Sequence, residues 1–330
     1  MRPFVFEQIR SPSEAFAATA GNASYLAGGT TLLDLMKLDV MQPERVVDIN
    51  PLDQTGAGEI RASEKGLHLG ALARMADAAD HPDIRDQYPV IAQALMLAAS
   101  QQIRNMASLG GNVLQRTRCT YFRDTSYVAC NKRNPGSGCA ALTGFNRSHA
   151  VLGTSDDCIA TYAGDFAQAL IALDATVETT GADGGRSLPF AALHRKPGQT
   201  PDQETNLKPS ELIVAFTVPA KPWAKRSLYL KIRDRESYEF ALASAAVALD
   251  MENGTVRDTR IALGGVATVP WRSITAEALL RGQSLDDTVL QSVADAAFAG
   301  ARGAGHNDFK IALGKRTLVR ALKQAAALEI

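Results

Sequence analysis

The stretch Leu26-Ala27-Gly28-Gly29-Thr30-Thr31-Leu32-Leu33 places two glycines and two threonines between an apolar strand and the start of a helix. Glycine lets a ligand approach the backbone closely, and the N–H groups at a helix start attract phosphate. A hydroxyl from Thr30 or Thr31 could assist. An ordinary strand-to-helix turn can have the same residues, and the stretch matches neither the G-x-G-x-x-G fingerprint nor a Walker motif. Alone, it leaves both interpretations open.

A second tract with the same chemistry, Ser108-Leu109-Gly110-Gly111-Asn112-Val113, lies further along the chain. It supplies a hydroxyl, two glycines and a side-chain amide. Two such loops can hold the diphosphate of a dinucleotide from both sides, because each offers backbone N–H groups without a side chain in the way. The combination therefore favours dinucleotide binding over two unrelated turns.

The segments around the tracts predict an α+β fold. Residues 1–55 predict a small βαβ subdomain with strands at Pro3–Ile9, Tyr25–Ala27 and Arg45–Ile49 and helices at Glu14–Ala20 and Leu32–Leu38. A second subdomain covers residues 56–222 and ends at the prolines of 219–222. Residues 223–330 predict a C-terminal domain with strands at Ser227–Ile232, Ala243–Met251 and Thr259–Gly264 and helices at Asp287–Ala299 and Asp308–Ala327.

Composition excludes several classes of function. The 330 residues contain 35 Lys+Arg and 35 Asp+Glu, and this zero net charge lacks the electrostatic footprint of a nucleic-acid or anionic-membrane binder. No apolar run approaches the roughly 18 residues that a membrane span needs. Charged residues occupy the first twenty positions, where a signal peptide would be apolar. We expect no membrane insertion and no export by a signal of its own.

All four cysteines, Cys119, Cys130, Cys139 and Cys158, fall in one segment that lacks periodicity, between Leu114 and Ser155 or just after it. Two disulfides could explain them, although a chain of this length does not need such crosslinks. The spacing C-x10-C-x8-C-x18-C lacks a C-x-x-C pair, which disfavours a zinc ribbon. Four thiolates can hold a [4Fe-4S] cluster at any spacing that loops permit. A metal centre is the interpretation that we favour.

Six basic residues and a single acid, Asp124, surround the first three cysteines; the bases are Arg116, Arg118, Arg123, Lys132, Arg133 and Arg147. Such a run is usually a solvated surface, but nearby cations would also stabilise thiolates and an anionic cluster. His149 is a further candidate ligand or neighbour, and the sequence favours a polar loop residue there. Two other residues have simple interpretations: Asp165 as the N-cap of a helix at Phe166–Leu173, and Lys231 as an exposed position of a strand.

Taken in this order, the motifs resemble the FAD-binding medium subunit of the molybdenum hydroxylases, the family of xanthine dehydrogenase, carbon monoxide dehydrogenase and aldehyde oxidoreductases. The resemblance covers essentially the whole chain. In most members the second glycine tract continues directly into an Asp-containing stretch, whereas here Ala163-Gly164-Asp165-Phe166 follows only after an insertion with the four cysteines. The insertion is similar to those of the 4-hydroxybenzoyl-CoA reductase medium subunit and, more closely, of the bacterial periplasmic aldehyde oxidoreductase FAD subunit, which carry an additional [4Fe-4S] cluster.

The resemblance implies which residues bind each cofactor. FAD would be bound by Leu26, Ala27, Gly28, Gly29, Thr30, Thr31 and Leu32, by Ser108, Gly111 and Asn112, and by Asp165, Ile213 and Lys231. Asp165 would contact the ribityl chain or flavin, Ile213 would pack on the flavin, and Lys231 would lie near the polar edge of the isoalloxazine ring. Cys119, Cys130, Cys139 and Cys158 would ligate the [4Fe-4S] cluster.

The implied fold is a two-part FAD-binding domain over residues 1–222, with an iron-sulfur loop insertion at 115–160, and a C-terminal three-stranded sheet plus helices over 223–330. The implied function is electron transfer in an oxidoreductase. A large subunit with the molybdenum cofactor oxidises an aldehyde, a small subunit relays electrons through [2Fe-2S] clusters, and the FAD of this subunit passes them to an external acceptor. The subunits would form a heterotrimer, whose dimerisation the sequence leaves open.

The resemblance also bears on location, since the small subunit of the periplasmic enzymes carries a twin-arginine signal. We expect co-transport of the folded complex to the periplasm, with a cytoplasmic complex as the alternative. The alternative function is a redox-inactive assembly subunit whose cysteines bind zinc or form disulfides and whose glycine loops are purely structural.

Overall fold

The computed structural model describes residues 1–18 and 21–330. The strands are β1 (Val5–Gln8), β2 (Ala23–Leu26), β3 (Arg45–Asp48), β4 (Ile60–Ser63), β5 (Gly66–Gly70), β6 (Thr176–Thr180), β7 (Arg186–Pro189), β8 (Leu212–Pro219), β9 (Ser227–Ile232), β10 (Ala243–Glu252), β11 (Thr255–Gly264) and β12 (Trp271–Arg272). The helices are α1 (Pro12–Ala18), α2 (Leu32–Lys37), α3 (Met75–Asp80), α4 (Pro82–Gln87), α5 (Pro89–Met96), α6 (Gln101–Met106), α7 (Leu109–Val113), α8 (Thr120–Arg123), α9 (Phe166–Ala172), α10 (Ile274–Leu280), α11 (Asp287–Ala297) and α12 (Phe309–Ala326). The last two residues of the helix predicted at Glu14–Ala20 lie outside the described residues.

The N-terminal part is a parallel sheet of three strands in the order β1-β3-β2. Its central strand β3 is apolar, with Val46 and Val47 fully buried. The first glycine tract follows β2 directly and leads into α2. It therefore lies at the carboxyl edge of a parallel sheet, where open α/β sheets bind their ligands.

The middle part is an antiparallel sheet in the order β4-β5-β8-β6-β7, which shares its core with residues of α3, α5, α7 and α9. Its core contains Leu95, Phe166, Leu170 and Phe216, all fully buried. The second glycine tract forms α7, a helix of five residues. Helices this short show no hydrophobic periodicity, and for this reason the sequence did not predict α6 and α7.

The C-terminal part is an antiparallel sheet in the order β12-β11-β10-β9, with α12 packed on β10. The three predicted strands are present, and the two-residue strand β12 adds a fourth. Helices α10 and α11 cover the same core, which includes Leu263, Leu290 and Leu318. No helix among residues 1–18 and 21–330 is long and apolar enough to span a membrane.

Residues 115–160, which we call the cysteine loop, contain little regular structure. Its internal order comes from isolated bridges, which pair Cys130 with Cys139 and Ser155 with Cys158. The end of the loop is not a free surface segment, because Val151 and Leu152 are fully buried in the C-terminal core and bond to the backbone of Val266. The loop is thus anchored on the domain that follows it.

Candidate functional site

The two glycine tracts lie against each other. A Cβ atom at Gly28 would come within 1.9 Å of the carbonyl oxygen of Met106, the residue that ends α6 just before the second tract. Only glycine allows this approach. Within the second tract, the hydroxyl of Ser108 accepts a hydrogen bond from the Gly111 N–H (3.2 Å) and caps α7. The fold therefore joins the two tracts that the sequence predicted to act together.

A cleft of about 1000 Å³, the main cleft, opens between the parallel sheet and the middle sheet. Its lining includes Ala27, Gly28, Gly29, Thr30, Thr31, Leu32, Ser108, Gly111 and Ile213 from the predicted set. Leu26 ends β2 immediately before this lining. Gly29 has a φ of +73°, a conformation that side chains rarely adopt, and Gly111 is exposed to the cleft. A dinucleotide fits a space of this size and polarity.

A second cavity of about 650 Å³, the side chamber, shares Thr30 and Thr31 with the main cleft. Asn112 and Asp165 line it. The Oδ1 atom of Asn112 is buried without a hydrogen-bond partner among the described residues. A buried acceptor without a partner costs about 1–3 kcal/mol, so this atom indicates a donor that a bound ligand supplies.

Asp165 and Lys231 form a buried ion pair at the side chamber. Their carboxylate and ammonium are 2.8 Å apart, and the two side chains are 4% and 1% exposed. The hydroxyl of Tyr229 donates a second hydrogen bond to Asp165 (2.6 Å). Burial raises the pKa of Asp165, and the Lys231 ammonium opposes this change. The simple interpretations were wrong: Asp165 does not cap its helix with its side chain, and Lys231 is not exposed.

The four cysteines line one small enclosed cavity beside Phe122 and Lys132. All four are free thiols. Burial raises the pKa of Cys119 to about 12 and that of Cys158 to about 11, and the ammonium of Lys132 opposes the shift at Cys158. Across the described part of the chain, no three His, Cys, Asp or Glu side chains are close enough to hold a single metal ion.

The bases of the cysteine loop form contacts with other parts of the chain. Arg116 and Lys132 pair with Glu204 (2.6 and 2.7 Å), and Arg118 and Arg123 pair with Asp34 of α2 (3.2 and 2.8 Å). Arg147 pairs with Asp234, and Arg133 donates to the carbonyl oxygens of Tyr121 and Phe122. Sequence analysis missed Asp34 and Glu204, because no local pattern marks a carboxylate that is paired with a distant loop.

His149 lies in the cysteine loop, as the sequence favoured, but its side chain is only 4% exposed. Its Nε2 atom lies 3.1 Å from the sulfur of Cys119. Burial lowers the pKa of His149 to about 4, and the charge of Lys310 acts in the same direction. His149 is therefore a neutral neighbour of the first cysteine at neutral pH.

Separate features of the structure fit FAD and an iron-sulfur cluster. The joined glycine tracts, the cleft and the unpaired Asn112 oxygen fit a dinucleotide, which in this chain would be FAD. The cavity that the four thiols share fits a cluster whose iron would displace the thiol protons, because burial raises the pKa of Cys119 and of Cys158 and a metal cation would favour their thiolates.

Two family descriptions match nearly the whole chain. Residues 4–221 match the FAD binding domain in molybdopterin dehydrogenase, and residues 228–325 match the CO dehydrogenase flavoprotein C-terminal domain. Similar proteins include the aldehyde oxidoreductase FAD-binding subunit PaoB of Escherichia coli, which is 46% identical over 99% of both chains. The glyceraldehyde dehydrogenase medium chain of Sulfolobus acidocaldarius is 27% identical over 89% of this chain and 87% of the relative.

Among solved structures, carbon monoxide dehydrogenase from Hydrogenophaga pseudoflava superposes with a TM-score of 0.76 at 28% identity, covering 99% of this chain and 98% of that one. This confirms the predicted fold, an FAD-binding domain followed by a C-terminal domain with an antiparallel sheet. The chain belongs to the family of FAD-binding medium subunits of the molybdenum hydroxylases and is an oxidoreductase subunit.

Proposed function

We propose that this chain is the FAD and [4Fe-4S] electron-transfer subunit of a molybdenum-dependent aldehyde oxidoreductase. It would receive electrons from the [2Fe-2S] clusters of a partner and pass them through FAD to an external acceptor. One observation carries the proposal: the chain is 46% identical over its whole length to an aldehyde oxidoreductase FAD-binding subunit, and its four cysteines line one cavity.

The residues of the main cleft would divide the binding of FAD among them. The backbone of Gly28 to Thr31 and of Gly111 would approach the diphosphate, because neither tract places a side chain there. Asn112 would accept a hydrogen bond in the side chamber, and Asp165 with Lys231 would present a fixed pair of charges to the flavin end. Bound FAD supplies the electron-transfer chemistry, and these residues orient it and set its surroundings.

Cys119, Cys130, Cys139 and Cys158 would hold the [4Fe-4S] cluster, with Lys132 offsetting part of its negative charge. The alternative is an assembly subunit with zinc or disulfides at the same cysteines. Metal analysis separates the two, because iron and acid-labile sulfide accompany a cluster whereas zinc does not.

The partners follow from the same proposal. A large subunit would carry the molybdenum cofactor and oxidise the aldehyde, and a small subunit would carry the [2Fe-2S] clusters. The names of several relatives support a complex of several subunits, since they are called medium chains. We propose a heterotrimer for this chain.

The test is reduction of the complete complex by substrate. Aldehyde added without oxygen should bleach the flavin absorbance and produce the paramagnetic signal of a reduced [4Fe-4S] cluster. A complex that oxidises aldehyde while its flavin stays oxidised would contradict electron transfer through this chain. Repeating the experiment with NAD, quinones, dioxygen and a ferredoxin then identifies the acceptor.

We further propose that the folded complex is exported together with a small subunit that carries the signal. FAD and an iron-sulfur cluster are inserted in the cytoplasm, so the finished complex would have to cross the membrane folded. Deleting the small subunit's leader should move the flavoprotein from the periplasmic to the cytoplasmic fraction. A flavoprotein that is cytoplasmic in both strains would refute co-transport.

A further inference from the structure

His149 touches the proposed cluster site without being part of the four-cysteine set. Its Nε2 atom lies 3.1 Å from the Cys119 sulfur, and its side chain is buried. The other ring nitrogen, Nδ1, is buried and has no hydrogen-bond partner among the described residues. A sulfur that ligates iron can only accept a hydrogen bond, so Nε2 must carry a proton for the contact to be favourable.

The C-terminal domain holds His149 in this position. The Nζ atom of Lys310 donates to the carbonyl oxygen of His149 (3.1 Å) and to those of Ser148 and Gly265. Asn307 donates to the carbonyl oxygens of His149 (3.4 Å) and Ala150 (2.9 Å). The ring also packs near Tyr121, with 6.1 Å between centroids. The C-terminal domain thus holds the backbone of His149, and Tyr121 lies beside its ring.

We propose that His149 is a positioning residue that donates a hydrogen bond from Nε2 to the sulfur of Cys119 and thereby raises the reduction potential of the cluster. This inference rests on the proposed function, because it requires the [4Fe-4S] cluster. Hydrogen bonds to the cluster sulfurs are one of the factors that set its potential. The hydrogen bond stabilises the reduced cluster more than the oxidised cluster, because the reduced form is more negative. Loss of the hydrogen bond should therefore make the cluster a weaker electron acceptor.

The experiment compares midpoint potentials of the cluster in the complete complex, measured by redox titration with electron paramagnetic resonance. His149→Phe keeps an aromatic ring of similar shape but removes the donor, so its potential should become more negative. His149→Gln keeps an N–H group near the place of Nε2 and should restore most of the wild-type potential.

His194→Phe is the matched control. His194 is a half-buried histidine that also has an unpartnered Nδ1 atom, but its Nε2 atom lies 3.2 Å from the carbonyl oxygen of Val113 rather than near a cysteine sulfur. The potential of this variant should equal that of the wild type. A full iron content with an unchanged potential in His149→Phe would overturn the role of His149.

A second measurement uses the wild-type complex, so it does not depend on whether a variant keeps the cluster. In complexes labelled with heavy nitrogen in histidine only, pulsed resonance on the reduced cluster should show one weak coupling to a histidine nitrogen. Absence of that coupling, or a strong coupling typical of an iron ligand, would refute the hydrogen bond. Wild-type complex without cluster iron would instead refute the proposed function.

Discussion

At the scale of single residues, Gly111 and Gly28 have different tasks although they belong to equivalent tracts. A Cβ at Gly111 would meet only the Ser108 hydroxyl (2.9 Å), whereas a Cβ at Gly28 would meet the Met106 backbone at 1.9 Å. Gly111→Val should therefore fold and lose FAD. Overpacking costs about 1–3 kcal/mol, which corresponds to roughly a five- to 150-fold loss of affinity.

Flavin content after gel filtration measures FAD binding, and the urea midpoint of the apoprotein measures the stability of the fold. Gly28→Ala is the comparison variant, and it should lower the urea midpoint, since backbone must move to admit the methyl group. Gly111→Val with one flavin per chain would show that the second tract does not contact the diphosphate.

The buried pair of Asp165 and Lys231 makes a prediction with a defined pH dependence. Lys231→Met leaves the buried carboxylate with the Tyr229 hydroxyl and the more distant charge of Arg233, which should destabilise the protein by about 3–5 kcal/mol at neutral pH. Burial already raises the pKa of Asp165, and removing the ammonium raises it further. The folded variant then binds a proton more readily than the unfolded chain, so its deficit should shrink as the pH falls towards that pKa.

Urea unfolding at neutral and mildly acidic pH tests this, with the double variant Asp165→Asn, Lys231→Met as control. The double variant contains no charge at either of these two positions and should show a smaller, pH-independent deficit. An equal loss of stability at both pH values in Lys231→Met would mean that the buried Asp165 carboxylate does not cause the destabilisation.

The glycine tracts could be recognised as a phosphate site from the sequence, because glycine and hydroxyl residues at a strand-to-helix junction are a local pattern. The contact of Asp165 with Lys231 could not, since 66 residues separate the two. A carboxylate before a helix resembles an N-cap and a lysine in a strand resembles a surface residue. Only the fold brings them together.

At the scale of elements, the cysteine loop is tied to α2, the helix that follows the first glycine tract. Partial burial disfavours the charge of Asp34, but the guanidinium groups of Arg123 and Arg118 hold its pKa below the usual value. Asp34→Asn removes this connection. Partly exposed ion pairs contribute about 1 kcal/mol or less, so FAD affinity should fall by at most about fivefold while the loop becomes more sensitive to protease.

Limited proteolysis measures the sensitivity of the loop, and flavin titration measures the affinity for FAD. Asp39→Asn is the matched control, because Asp39 follows the same helix but pairs with Arg2 rather than with an arginine of the cysteine loop. Equal digestion of the two variants would show that Asp34 does not hold the loop.

Elements with long patterns were predicted well, as with α12 and β10. The anchoring of the cysteine loop was not predicted, because its ion pairs join Arg118 to Asp34 and Lys132 to Glu204 across long sequence separations. The bases looked like partners for thiolates, whereas most of them bind carboxylates or carbonyl groups elsewhere in the chain.

At the scale of the whole molecule, the account's central claim is that one chain carries two separate redox sites. The main cleft between the parallel and middle sheets would hold FAD, and the cysteine loop, anchored on the C-terminal domain, would hold the [4Fe-4S] cluster. The order of these parts along the sequence was predictable from motifs. Their contacts were not, since they depend on how three separate cores meet.

The most direct measurement is the iron and flavin content of the purified complex with wild-type chain and with Cys139→Ser. Serine replaces a soft thiolate ligand poorly, so the variant should lose about four iron atoms per complex and keep its full FAD content. Thr125→Ala, an exposed change in the same loop, should lose neither. A Cys139→Ser complex that retains all of its iron, or that loses FAD along with it, would contradict two independent redox sites on this chain.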